Sequence, residues 1–212
     1  MVVEYHRFVA LICTKLIINK KPDMEIILMR HGKPTYTGNP KVTCDEMADW
    51  IAQYNLSDTG GAIPPESSKA IASKAALIMS SPLPRALSSL SALGCQPDII
   101  DQVFSEAELP LIRIHGLKLP PAYWLVFFRL MWLCGMSKMV ESSGMARARA
   151  LKAAELLVMH AKKSNGGVLL MGHGVMNRLI ARELISLGCT ENCRQGREHW
   201  SIGVYTLSNV KP

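Results

Sequence analysis

The chain has 212 residues, 49% hydrophobic and 19% charged, with a formal net charge of +7. That supplies one domain, or one domain with an insertion, with ample core material, and it excludes a disordered chain, a coiled coil and a disulfide-stapled miniprotein. No run approaches the ~20 uninterrupted apolar residues of a membrane-spanning helix, and the basic residues are scattered, which favours a small anionic partner over nucleic acid.

Residues 1–23 stand apart. Phe8 to Ile18 is apolar, but Lys15 interrupts it, Glu4 precedes it where a signal peptide carries positive charge, and no small-residue cleavage site follows. The segment reads as a loosely attached extension, as a mis-assigned upstream start would leave, with a degraded signal peptide as the minority alternative and 24–212 as a single domain of a cytoplasmic protein. Met24 to Met29 predicts a buried parallel strand that ends abruptly at Arg30-His31-Gly32. Helical spacing follows over Asp45 to Tyr54, and a second helix opens at Pro64-Pro65-Glu66 and runs through Ile71 and Ala75. Leu77 to Ser80 predicts a second strand, ending at Ser81-Pro82-Leu83-Pro84-Arg85. A helix from Arg85 to Leu93 stops at Gly94, and Ile99 to Phe104 reads as extended.

Residues 111–144 break this alternation as a helical insertion, placed near the active site as a cap. Its block Tyr123 to Cys134 is apolar nearly all round, which predicts burial in the core or a homodimer contact. One alternative is that the insertion, as that cap, selects the leaving group, Trp124, Phe127 and Trp132 favouring a substrate with an apolar or aromatic part; another is attachment to a membrane surface, against which stands the lack of a basic face. An alanine-rich helix spans Met145 to about Lys163. A third buried strand, Val168 to Met171, ends at Gly172-His173-Gly174, and a helix runs from Val175 to Leu187. Gly203 to Leu207 reads as a last, edge strand. Strands alternating with helices predict a three-layer α/β/α sandwich with a mainly parallel sheet. The six cysteines sit mostly beside apolar neighbours and read as reduced thiols, Cys189 and Cys193 among them near a helix end. No Cys/His set has zinc spacing, and neither metal nor cofactor is expected.

The polar chemistry falls at the ends of the three strongest strands. In an open α/β sheet ligands bind beyond the carboxyl ends of the strands, so Arg30, His31, Arg85 and His173 are predicted to meet. Two guanidiniums and two imidazoles suit a dianion, most naturally a phosphoryl group. An imidazole can attack phosphorus if one nitrogen keeps its lone pair while the other donates to a fixed acceptor. Gly32 lets the main chain bend to supply that acceptor, and the amides of the helix opened by Gly174 are expected to face the anion. Ser80 and Ser81 lack the surroundings of a nucleophile elbow and read as a turn before Pro82. His6, His115, His160 and His199 read as surface or packing residues, with His199 the one that could line the pocket.

The strings Leu-Met-Arg-His-Gly-Lys-Pro, Ser-Ser-Pro-Leu-Pro-Arg-Ala and Leu-Met-Gly-His-Gly-Val, with Leu56-Ser57-Asp58-Thr59-Gly60 between the first two, resemble the histidine phosphatase superfamily with its phosphoglycerate mutase-like fold. The resemblance implies a phosphomonoester hydrolase acting on a small phosphorylated substrate. His31 would form a covalent phosphohistidine, while Arg30, Arg85, His173 and Gly174 bind the phosphoryl group. The family's acid, which protonates the leaving alkoxide and then deprotonates water, aligns best with Glu106, with Glu108 as runner-up. A mutase is the first alternative. Against it, Thr37 and Lys33-Pro34 stand where mutases carry asparagine and glutamate-serine. A non-catalytic phospho-ligand-binding protein is the second, opposed by the complete residue set.

Overall fold

A computed structural model describes residues 24–112, 114, 116–164 and 166–207. The expectations for the 1–23 extension, for His6 and Cys13, and for His115 lie outside the described residues. Strand β1 (Glu25–Arg30) is built from alternating residues that go to opposite sides. Ile26 and Leu28 join one core cluster, Ile27 and Met29 another. In β6 (Gly167–Gly172), Val168 and Leu170 join the first cluster and Leu169 and Met171 the second. A strand apolar on both faces must be covered on both faces, and that requirement produces the three layers.

The six-stranded sheet has the order β4-β3-β6-β1-β8-β7, with β3 at Ala75–Ser80, β4 at Ile99–Ile100, β7 at Cys189–Cys193 and β8 at Ile202–Leu207. Strands β4, β3, β6 and β1 run parallel; β8 is antiparallel to both β1 and β7. Register pairs Arg30 with Gly172 and Ser80 with Met171, so the three predicted strand ends lie side by side.

One layer holds α5 (Ser143–Lys163) and α6 (Gly174–Ser186). The other holds α2 (Glu66–Ala72) and α3 (Pro84–Ala92). Pro84 sits in the first turn of α3, where its missing N–H costs nothing, and Leu83 before it is extended. In α5, Ser142 caps the first turn by accepting from the Met145 amide, while Lys162 and Lys163 complement the dipole at the other end. Its buried face is nearly all alanine (Ala146, Ala150, Ala153, Ala154, Ala161, with Leu157), which lets the helix lie close to the sheet. A third cluster joins α1 (Met47–Leu56), the two-stranded β2 (Val42–Thr43) and β5 (Lys118–Leu119), and α4 (Pro121–Leu133).

Five expectations need correction. Ala75 does not extend α2 but opens β3 opposite Gly167, with an irregularity before Leu77. Beyond β4, residues 102–104 form a 3-10 turn capped by Asp101, whose carboxylate accepts from Val103. Strand β8 is interior, and the edge is β7, whose Cys-Thr-Glu-Asn-Cys sequence carries little apolar signal. Cys193 is disulfide-bonded, whereas Cys44, Cys95, Cys134 and Cys189 are free thiols. The aromatic block is buried on one face and not on the other. Trp124, Phe128 and Trp132 are buried, but Tyr123, Val126, Leu130 and Leu133 are exposed along the opposite face. Nor do the two tryptophans offer themselves to a substrate: Trp124 donates to the Val42 carbonyl and Trp132 to that of Glu141. Among the described residues no helix is long and apolar enough to cross a membrane.

Candidate active site

The end of β1 places His31, which is 3% exposed. Its amide donates to the Gly172 carbonyl at the end of β6 (3.1 Å), and its Nδ1 lies 2.7 Å from the Gly32 carbonyl oxygen. A carbonyl only accepts, so Nδ1 carries the proton and Nε2 keeps its lone pair. The Gly32 peptide is itself fixed: its amide donates to Ser89 Oγ (2.8 Å), which donates to the Arg85 carbonyl (2.6 Å). A side chain at Gly32 would meet the Trp200 indole, whose Cζ2 lies 2.5 Å from where a Cβ would stand.

The His173 ring lies beside that of His31, with centroids 5.0 Å apart. The side chain is fully buried, and Nε2 is 2.8 Å from Ser81 Oγ. Asn177, one turn into α6, ties this segment down by accepting from the His173 amide and donating to the Met29 carbonyl. Both imidazoles are held well below their usual pKa. Burial is the main cause, reinforced at His31 by His173 and at His173 by Arg85 and Arg30. Both rings are therefore neutral at neutral pH.

Arg85 at the start of α3 is 2% exposed, its guanidinium 5.0 Å from the Tyr54 ring centroid and donating to Asn55 Oδ1. Burial lowers its pKa, with Tyr54 and Glu106 opposing, and burial raises the Tyr54 phenol. Arg30 donates to the Arg197 carbonyl and lies over Gly174, where an added Cβ would stand 3.3 Å from Cζ. Five buried side-chain nitrogen or oxygen atoms of the described residues lack a hydrogen-bond partner; three of them are Arg30 Nε, Arg85 Nε and His173 Nδ1. Buried polar groups without partners are rare, and a cluster of three unmet nitrogens is a cradle for an anion.

Glu106 joins this group and Glu108 does not. The Glu106 carboxylate accepts from the amides of Ala107, Val175 and Met176, spanning the gap from its own loop to the start of α6. The expected anion-facing amides of α6 are thus in part taken by a protein carboxylate. Glu108 is exposed, and its carboxylate accepts from the Glu141 amide (3.4 Å).

Ser81, Asn55, Tyr54 and Asn177 carry no motif that marks them as site residues. Only Asn177 left a signal, a polar residue on the apolar face of α6. His199 lies within the site after all, its ring 5.6 Å from that of His31. Burial, then Arg30 and Lys33, lower its pKa to about 4. Trp200 beside it adopts a left-handed φ of 64°, and its amide donates to the Arg30 carbonyl. Among the described residues no group of three or more His, Cys, Asp or Glu is arranged to hold a metal ion.

The family model for the histidine phosphatase superfamily (branch 1) matches residues 26–208. A search of curated protein sequences finds no significant match. Among solved structures, the chain is similar to an open-reading-frame product of Mycobacterium tuberculosis (15% identity, 88% of this chain and 92% of that one, TM-score 0.58). It is also similar to an ecdysone phosphate phosphatase of Bombyx mori in complex with tungstate (13%, 89% and 92%, TM-score 0.52). A third is a mutant phosphoserine phosphatase of Entamoeba histolytica in complex with phosphoserine (18%, 87% and 91%, TM-score 0.50). At these identities the likeness is one of fold.

Proposed function

Because this chain belongs to the histidine phosphatase superfamily (branch 1), we propose that it is a phosphomonoester hydrolase acting through a covalent phosphohistidine on His31. The observation that carries this reading is the convergence of three unmet buried nitrogens, on Arg30, Arg85 and His173, beside an imidazole whose Nδ1 is already committed to the Gly32 carbonyl. The small phosphorylated substrates named for the ecdysone phosphate and phosphoserine phosphatases agree with it.

The reaction is two in-line displacements. In the first, the His31 Nε2 lone pair forms the N–P bond as the P–O bond to the alcohol breaks, and the departing oxygen takes a proton from the Glu106 carboxyl. In the second, water gives its proton to Glu106 and attacks phosphorus. The N–P electrons return to Nε2, and orthophosphate leaves. Oε2 of Glu106 accepts a single amide bond, from Val175, which leaves it a lone pair to carry the proton. Arg30 and Arg85 neutralise the transferring group and the neutral His173 ring donates a hydrogen bond to it, each preorganised donor contributing about 3 kcal/mol. A well-placed acid contributes roughly 10²–10⁴-fold. Arg129 of α4 ties that helix to the acid's loop, donating to the Ala107 carbonyl at 2.9 Å, which supports a capping role for the insertion.

The test is turnover of p-nitrophenyl phosphate and of 3-phosphoglycerate in the presence of EDTA. Release of inorganic phosphate from both is expected, with no loss to the chelator. Formation of 2-phosphoglycerate in place of phosphate would make the protein a mutase, and no turnover at all would make it a binding protein.

A further inference from the structure

Two arginines that take no chemical step in that mechanism grip the loop carrying Glu106. On its N-terminal side, Arg149 of α5 donates through Nη1 to the carbonyls of Val103 (3.0 Å) and Ser105 (2.7 Å). On its C-terminal side, Arg129 of α4 donates through Nη2 to the Ala107 carbonyl (2.9 Å) and through Nη1 to that of Glu108 (3.5 Å). Both guanidiniums are braced. Arg149 forms a two-pronged pair with Glu141 (2.8 and 2.6 Å), and Arg129 stacks 4.7 Å from the Trp132 ring centroid. The braces are themselves joined, since the Trp132 indole donates to the Glu141 carbonyl (2.7 Å) and the Glu141 amide to Glu108 Oε2. Residues 103–108 are thus held on both sides of Glu106 by planar donors aimed at main-chain carbonyls.

We infer that Arg129 and Arg149 are positioning residues for the proton donor, and that the insertion sets the aim of Glu106 at the leaving group. This rests on the phosphohydrolase reading. Side-chain donors to a loop carbonyl fix the backbone, and an acid one ångström out of place loses most of its effect. The same clamp gives the insertion a reason to be held against the site, since its helix and its exit loop supply Arg129, Trp132 and Glu141.

A general acid matters in proportion to the basicity of what leaves. An alkoxide needs the proton, whereas p-nitrophenolate departs nearly unaided. The experiment compares kcat/KM, which reports steps only through departure of the alcohol, for β-glycerol phosphate and p-nitrophenyl phosphate. The enzymes are the wild type, Glu106→Gln as benchmark, Arg129→Ala, Arg149→Ala and Arg149→Lys, with folding monitored by thermal melting. The alkyl-to-nitrophenyl ratio should fall about 10–100-fold in Arg129→Ala and in whichever Arg149 variant folds, a fraction of the ~10²–10⁴ range of a lost acid. A fall of equal size on both substrates, or none on either, in the folded variants would overturn the inference. If the wild type hydrolyses neither ester, the phosphohydrolase reading itself fails and the inference goes with it.

Discussion

On the proposed mechanism His31 is made a nucleophile by its neighbours rather than by its own chemistry. Burial and the nearby His173, Arg85 and Arg30 keep the ring neutral, and the Gly32 carbonyl decides which nitrogen holds the proton. Two glycines protect that geometry by leaving space. Gly174→Ala would press on Arg30, whose guanidinium carbon lies 3.3 Å from the new Cβ. It should lower kcat/KM about 10-fold through displaced phosphate contacts while leaving the melting temperature nearly unchanged. Gly32→Ala meets the rigid Trp200 ring at 2.5 Å and should cost stability as well as activity; a melting curve beside a p-nitrophenyl phosphate assay separates the two. Arg30, His31 and His173 could be read from the chain because each stands where an apolar run breaks off at a strand's carboxyl end, and Arg85 because it opens the helix that follows such an end. Ser81 could not, since a serine before proline looks like any turn. The clamp on Glu106 was equally hidden: its acceptors are main-chain carbonyls, which every residue has and no sequence marks.

At the scale of elements, α5 shows packing by smallness. Ala146, Ala150, Ala153, Ala154 and Ala161 are fully buried, so the helix touches the sheet with almost no side chain between. Ala150→Leu should therefore overpack, costing about 1–3 kcal/mol, a fall of about 2–12 °C in Tm for a chain of this length. Trp132→Ala removes a buried ring together with its bond to the Glu141 carbonyl and should cost about 3–5 kcal/mol by chemical denaturation. The alanine helix, β1 and β6 were legible because their periodicity has one reading. The aromatic helix α4 was not: when both faces are apolar, the pattern cannot say which one meets the core. Strand β7 failed for the opposite reason, as a short polar segment paired on one side carries no alternation to find.

For the whole molecule, the parallel arrangement of β3, β6 and β1 turns three distant stretches of chain into one site, and assembling it has a cost visible in pH. His31 and His173 have folded-state pKa values well below 6.5, and that of His199 is about 4. The unfolded chain therefore takes up protons on these rings first as pH falls below 6.5, and the folded state is penalised until its own pKa is reached. Stability should be flat with respect to these groups above about pH 7 and decline from about 6.5 toward 4. His199→Gln should lose less stability than the wild type between about pH 6.5 and 5, as urea titrations at each pH would show. An equal loss in both would mean that His199 is not held neutral by the fold.

The most direct measurement is to quench the enzyme in base within milliseconds of mixing with 32P-labelled phosphomonoester and map the label. It should sit on the peptide containing His31, survive alkali and be lost in acid, as a phosphoramidate is, and it should be absent from His31→Ala, which turns over nothing. Label on a serine, or a His31→Ala protein that still releases phosphate at the wild-type rate, would contradict the covalent mechanism.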